Sequence, residues 1–282
     1  MQIYPLQPVD YLVIGHVTRD LTPEGPRLGG TAAYAGLTAR ALGLRVGVVT
    51  ACDPDLPLFE LNDLALAIRY GETTTTFENI STPSGRIQRV FHPATPLDLS
   101  MVPEVWRNTP IVHLGPVLQE VDPKLARAFS NSFVGVTPQG WLRSATTDNR
   151  VVFSEWPEAR YVLETANAAV LSIEDVRGSE DLIEEMVSSI RVLAVTEGAS
   201  GARIYWNGDV RYFRAPVTQE IDPTGAGDIF AAAFFVRLYQ TRDPWEAARF
   251  ATQLAAASVT RPGLGAIPTP DEVRLHSVEI LP

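Results

Sequence analysis

The chain is short of cysteine, of net positive charge and of long apolar runs, and each shortage excludes something. Cys52 is the only cysteine among 282 residues, so no intramolecular disulfide and no cysteine-based zinc cluster can be built. In the context VVTACD it reads as a small core residue rather than a nucleophile. Lys and Arg number 23 against 33 Asp and Glu, a net charge of −10. Nothing there would neutralise the phosphates of a nucleic acid or an anionic membrane, so neither is expected as a partner. No uncharged apolar run approaches the roughly 20 residues of a membrane-spanning helix. The opening MQIYPLQPVD has neither a basic n-region nor an apolar h-region, so no signal peptide is expected and the cytoplasm is the expected location. A P-loop lysine motif, a G-x-G-x-x-G after the first apparent strand, internal repeats and low-complexity linkers are also missing.

What is there is ordinary globular composition, 45% hydrophobic and 20% charged, in a length that suits one large α/β domain over residues 1–282. Short apolar runs read as buried parallel strands at Tyr11–Ile14, Arg45–Thr50, Ile111–Gly115, Phe133–Thr137, Ala169–Leu171 and Arg191–Thr196. Between them helices are expected from Thr31 to about Leu42, over Asp122–Phe129, near Pro157–Ala166, from a cap at Ser172–Asp175 to about Ser189, from Asp228 to Tyr239, and over Trp245 to about Thr260. Asn207-Gly208-Asp209 marks a hairpin. This alternation predicts a three-layer αβα sandwich around a mostly parallel sheet. From Leu56 to Arg89 the character changes to Thr-rich alternating segments broken by Gly71 and Pro83-Ser84-Gly85. A small antiparallel β-sheet is expected there, with about residues 68–92 forming a lid over the strand ends.

The stretch Asp222-Pro223-Thr224-Gly225-Ala226-Gly227-Asp228 is the most informative. Two glycines at alternate positions turn the backbone tightly, and the helix behind them adds unpaired N–H groups and the positive end of its dipole. Gly225, Ala226 and Gly227 thus make an anion site. Asp228 then places a carboxylate in the first turn, where it would repel a bound phosphate at rest. A base that takes the proton of an attacking hydroxyl is one reason to keep it there. The same residue types also serve any turn and helix N-cap, so the motif alone leaves both readings open.

Taken together, GHVTRD after the first strand, GGTAAYAG opening the first helix, VTEGASGARIY and DPTGAGDIFAAAF resemble the ribokinase/PfkB carbohydrate kinase family across nearly the whole chain. The resemblance implies a ribokinase-like fold and transfer of the γ-phosphoryl of ATP to a hydroxyl of a sugar, polyol or nucleoside. By position it makes Asp228 the catalytic base, with Gly225, Ala226 and Gly227 as the anion hole. It puts Asp20, Gly29, Gly30 and Thr31 at the acceptor. Thr196, Gly198, Gly201, Thr224, Thr252 and Ala256 fall on the nucleotide side. With no P-loop lysine, Arg143 in the loop PQGWLR is the expected source of positive charge near the phosphates. Magnesium is implied with ATP. The family's Asn-x-x-Glu falls on Ser172 and Asp175, a departure at both residues, and Asp175 is the expected magnesium neighbour. The carbonyls of Asp222 and Thr224 stand where some relatives hold a monovalent cation such as K+. Thr18 and Tyr34 replace two asparagines of ribokinases, which turns the expectation away from ribose. LGGTAAYAG, TTTFEN, PQGWLR and the Pro of DPTGAGD look most like the inositol kinase branch, so the expected acceptor is myo-inositol or a related cyclitol. The alternatives are another sugar, a nucleoside, or a non-catalytic sensor on the same fold. The expected assembly is a monomer or a homodimer.

Overall fold

Runs such as Tyr11-Leu12-Val13-Ile14 are apolar at every position because both faces of their strand are covered. Tyr11 and Val13 enter one hydrophobic core, while Leu12 and Ile14 enter a second on the other side of the sheet. Val192 and Ala194 against Leu193 and Val195 divide in the same way. Two cores either side of one sheet give three layers.

The computed structural model describes residues 6–82 and 85–277. In chain order the strands and α-helices are β1 (Tyr11–Ile14), β2 (Thr18–Thr22), β3 (Gly25–Gly29), α1 (Thr31–Ala41), β4 (Val46–Cys52), β5 (Ala65–Tyr70), β6 (Thr76–Thr82), β7 (Gly85–Phe91) and β8 (Ile111–Leu114). There follow α2 (Leu125–Ala128), β9 (Phe133–Val136), β10 (Arg143–Ala145), β11 (Val151–Phe153), α3 (Ala159–Leu163), β12 (Ala168–Ser172) and α4 (Glu180–Ser189). The last are β13 (Val192–Thr196), β14 (Ala202–Trp206), β15 (Asp209–Phe213), α5 (Ala226–Thr241), α6 (Pro244–Ser258) and α7 (Pro270–His276). The central sheet runs β15-β14-β13-β12-β9-β8-β1-β4-β5, parallel from β13 to β5, with β14 and β15 as an antiparallel hairpin at one edge. A second sheet runs β3-β2-β6-β7. The expected ribokinase-like αβα layering with a small second sheet is the architecture found.

Three details correct the sequence reading. Residues 65–70 pair in parallel with β4 and extend the central sheet, so the start of the expected 68–92 segment belongs elsewhere. The small sheet instead takes two strands from residues 18–29, where polar residues read as a loop. β2 lies inside this sheet yet is mostly polar and only partly buried, so no periodic apolar signal separates it from a turn. Finally, Ser172–Asp175 does not cap α4. Ser179 does, its hydroxyl accepting from the Leu182 N–H at 3.4 Å, while Ser172 and Asp175 close a separate turn.

The small sheet is fastened to the end of β1. His16 is buried, and its ring nitrogens contact Thr75 Oγ1 and the Thr95 carbonyl, each at 2.9 Å. Glu120, 5% exposed, accepts from the backbone N–H groups of His16, Val117 and Leu118 at 2.7–3.1 Å. A buried carboxylate survives here because amide donors surround it.

Candidate active site

The carboxyl ends of the parallel strands face the N-termini of α1 and α5, the edge where open α/β sheets bind ligands. Gly225 opens α5 at φ 80 and no side chain caps the helix, although the Ala226 N–H turns back to the Pro223 carbonyl at 3.2 Å. Only glycine fits at 225: besides the left-handed backbone, a Cβ there would stand 2.3 Å from the Tyr34 ring. Gly227 differs, since nothing lies within 4 Å of where its Cβ would be. Packing does not require glycine at that position. What its absent side chain provides is open approach to the helix start.

Asp228 follows in the first turn of α5, and four other predicted residues surround it. The Thr31 hydroxyl and the charges of Arg143, Asp175 and Asp20 all bear on its carboxyl. Burial pushes the carboxyl up to about 6, against the Thr31 hydroxyl and Arg143, which pull it down, and with Asp175 and Asp20, which push it further up. Asp20, on β2, accepts from Thr18 Oγ1 at 2.8 Å. Gly29 on the paired strand leaves that carboxylate its room, as a Cβ there would lie 2.2 Å from Asp20 Oδ2. Asp175 is 5% exposed on its side chain and well occupied: Arg143 Nη2 at 3.3 Å and Gln139 Nε2 at 3.2 Å reach Oδ1, and the Ser172 N–H reaches Oδ2 at 2.9 Å. The chain holds one lysine, Lys124, so the positive charge at this site is arginine, ionised at any working pH.

The nucleotide-side residues lie beside this group rather than in it. Thr196 ends β13 in register with Ser172, and its carbonyl accepts from the Ile173 N–H at 2.9 Å, so the Asp175 turn and the Thr196 end are neighbours. Gly198 begins the turn Gly198–Ser200, and Gly201 is crossed by the backbone of Phe213 to Ala215. The Thr224 N–H donates to Asp222 Oδ1 at 2.9 Å, and Gly263 N–H to Asp222 Oδ2 at 3.1 Å, tying the motif to the loop after α6. Thr252 and Ala256 are buried on α6, a helix away from Asp228, and Thr252 Oγ1 is buried without a hydrogen-bond partner.

Residues 151–272 match the model of the pfkB family carbohydrate kinases. Over that segment the chain is similar to this family. A cytidine kinase of Thermococcus kodakarensis is 26% identical over 278 residues, spanning 88% of this chain and 95% of its own length. An inositol 3-kinase of Oryza sativa subsp. japonica is 40% identical over 86 residues, 30% of this chain and 21% of that one. Among solved structures, a pyrophosphate-dependent kinase of the ribokinase family superposes with a TM-score of 0.80 at 21% identity, covering 94% of this chain and 99% of that one.

Sequence reasoning missed three supports of the site. Tyr34, noted only as a replaced asparagine, is 2% exposed, packs on Gly225 and senses Asp20, Asp222 and Asp228; burial pushes its hydroxyl pKa well up. Thr18, likewise a replacement, holds Asp20. Gln139 shares Asp175 with Arg143. Long-range contacts of this kind leave no local pattern in the sequence.

Proposed function

We propose that this kinase transfers the γ-phosphoryl of ATP to a hydroxyl of a small polyol, with myo-inositol or a related cyclitol as the first acceptor to try. The observation that carries the reading is Asp228: a carboxylate held near neutrality at an uncapped helix start, beside the open Gly227 position. A base with a pKa near 6 is mostly ionised at pH 7 yet basic enough to help a hydroxyl proton leave. Asp20, anchored by Thr18, accepts hydrogen bonds from other hydroxyls of the acceptor and fixes its orientation. As the acceptor oxygen bonds to phosphorus, its proton passes to Asp228, and the electron pair of the broken P–O bond leaves with the nucleoside diphosphate. The N–H groups of Gly225 and Gly227 and the Arg143 guanidinium meet the charge that develops, while the Ala226 N–H is taken by the Pro223 carbonyl.

The charge balance supports a divalent cation with the donor. Asp20, Asp175, Asp222 and Asp228 are set against Arg143 and Arg27, and a polyphosphate adds further negative charge. Among the described residues no group of three His, Cys, Asp or Glu forms a metal cage. That donor set fits magnesium, which keeps several waters and binds through substrate phosphates with few carboxylates. Bound there, it would neutralise phosphate charge; Asp175, through water, is the residue to hold it.

Two relatives favour a second reading. The near full-length match to a cytidine kinase supports a nucleoside acceptor, and the pyrophosphate-dependent structural neighbour supports a different donor. One experiment separates them: purified protein with magnesium and either ATP or pyrophosphate, against inositols, hexoses, ketoses and nucleosides. Turnover of an inositol with ATP is the expected result. Turnover only of a nucleoside, or only with pyrophosphate, would replace the acceptor or the donor. A ligand that raises the melting temperature with no turnover under any donor would make the protein a sensor.

A further inference from the structure

A polar chain runs through the core beneath the site. Tyr11 on β1 and His113 on β8 are both fully buried. The Tyr11 hydroxyl lies 2.8 Å from His113 Nδ1, and Thr137 Oγ1 lies 3.0 Å from Nε2. The rings of Tyr11 and Phe235 stand edge-on to the imidazole, with centroids 6.1 and 5.0 Å away. Among the described residues neither hydroxyl has a second hydrogen-bond partner. Burial pulls the His113 pKa down to about 3, so the ring is neutral, with one nitrogen carrying a hydrogen and the other accepting. If Nδ1 carried it, Nδ1–H would donate to the Tyr11 oxygen, and the Tyr11 hydrogen would be buried with no acceptor. That costs a full unmade hydrogen bond. With the hydrogen on Nε2, Tyr11 donates to Nδ1, Nε2–H donates to Thr137 Oγ1, and no hydrogen is stranded in the core. The hydroxyl hydrogen left over is then that of Thr137, the residue that follows β9 at its carboxyl end.

Two packing contacts place that hydroxyl in the site. A Cβ on Gly115 would stand 3.3 Å from Thr137 Oγ1 and 2.3 Å from Thr31 Cγ2, so Thr137 faces the start of α1 across a glycine. The chain enters α1 through Gly29, whose Cβ would meet the Asp20 carboxylate, and Gly30. On the other side, the Phe235 ring packs on Gly135, two residues before Thr137, where a Cβ would lie 2.6 Å from it. Asp228 is seven residues ahead of Phe235, hence about 10 Å further along the same face of α5, toward the strand ends. We propose that Thr137 binds the acceptor: its hydroxyl donates a hydrogen bond to an acceptor oxygen, and the buried Tyr11–His113 pair is what turns that hydrogen outward. This rests on the reading of Asp20 and Asp228 as the acceptor end of the site. Ionised, those two carboxylates can only accept, so the lone pairs of a polyol need a donor. Thr137 supplies an uncharged one, already oriented before the ligand arrives.

Thr137→Val keeps the shape and removes the donor; Thr137→Ser keeps the donor and removes the methyl. With the acceptor that turns over, Thr137→Val should raise acceptor KM by about 3- to 10-fold with donor KM within about twofold, and Thr137→Ser should stay near wild type. Thr137→Val also leaves Nε2–H without an acceptor, so Tyr11→Phe, which leaves Thr137 intact, is the second arm. It removes the bond that selects the tautomer and should raise acceptor KM by about 2- to 5-fold, again with donor KM unchanged. Nitrogen NMR of histidine-labelled protein without substrates reads the tautomer directly, and with four histidines in the chain the assignment is simple. His113 protonated at Nε2 and bare at Nδ1 upholds the proposal, and the opposite tautomer overturns it. Acceptor KM unmoved in both Thr137→Val and Tyr11→Phe, or a rise in donor KM alone, overturns it as well. Absence of turnover in the wild type would refute the kinase reading separately; acceptor affinity by calorimetry then makes the same comparison among the variants.

Discussion

Replacing Asp228 by Asn should abolish turnover and make the protein more stable. Burial holds the carboxyl at about 6 instead of its ordinary 3.8, so the ionised form present at neutral pH is disfavoured in the folded state. At about 1.36 kcal/mol per pH unit, that is roughly 3 kcal/mol. Partial access to water and the lost attraction of Arg143 reduce the gain, leaving about 1–3 kcal/mol for the neutral amide. The sign follows from proton binding. Between about pH 4 and 6 the folded protein binds the Asp228 proton more tightly than the unfolded chain, so stability falls as pH rises through that window. The cost is absent below it and fully present above. Melts by circular dichroism without nucleotide, at pH 4, 5, 6 and 7.5, should show Asp228→Asn ahead of wild type by about 2–12 °C at pH 7.5, at about 2–4 °C per kcal/mol for a large domain. The gap should close toward pH 4. A variant that melts at or below wild type at pH 7.5, or a gap indifferent to pH, would refute the claim that burial is what raises this carboxyl.

Three further outcomes are expected. The kcat/KM of the wild type should fall about tenfold per pH unit below about pH 6, as Asp228 takes up its proton, and level off above it; a stopped assay in constant-ionic-strength buffers reads this. Asp20→Asn should raise acceptor KM by about 10- to 100-fold, the loss of a charged hydrogen-bond acceptor, with the donor KM little changed in steady-state kinetics. Gly225→Ala meets both a left-handed backbone and the Tyr34 ring, so it should destabilise the fold by about 2 kcal/mol or more in urea titration, whereas Gly227→Ala should leave stability within about 1 kcal/mol and harm turnover instead.

Much of this fold was legible because its strands are buried on both faces and announce themselves as apolar runs, as Tyr11–Ile14 and Val192–Thr196 do. The small sheet was half-legible. β6 and β7 follow the Thr-rich alternation, but the edge strand β3 and its neighbour β2 carry Arg, Asp and Pro and are only partly buried, which imposes no pattern. Helix starts were less legible than helix bodies: Ser172–Asp175 has the composition of a cap and forms a turn, while Ser179 seven residues later does the capping. At the site, DPTGAGD pointed to an anion and a base from local chemistry. Its dependence on Tyr34 was invisible, because the Tyr34–Gly225 contact joins residues far apart in the chain and shows only when volumes are compared in space.

The way the small sheet is joined to the body has a mechanical consequence. β2 leaves β1 after three residues, and β3 runs into α1 through Gly30, so half of this sheet is spliced into the chain that carries the acceptor groups. Asp20 sits on β2 and Gly29 ends β3. Asp20 and this sheet are therefore one piece of backbone, anchored where the His16 ring sits between Thr75 and Thr95, and any shift of the sheet would carry Asp20 with it. Covering the acceptor and gripping it would be a single stroke.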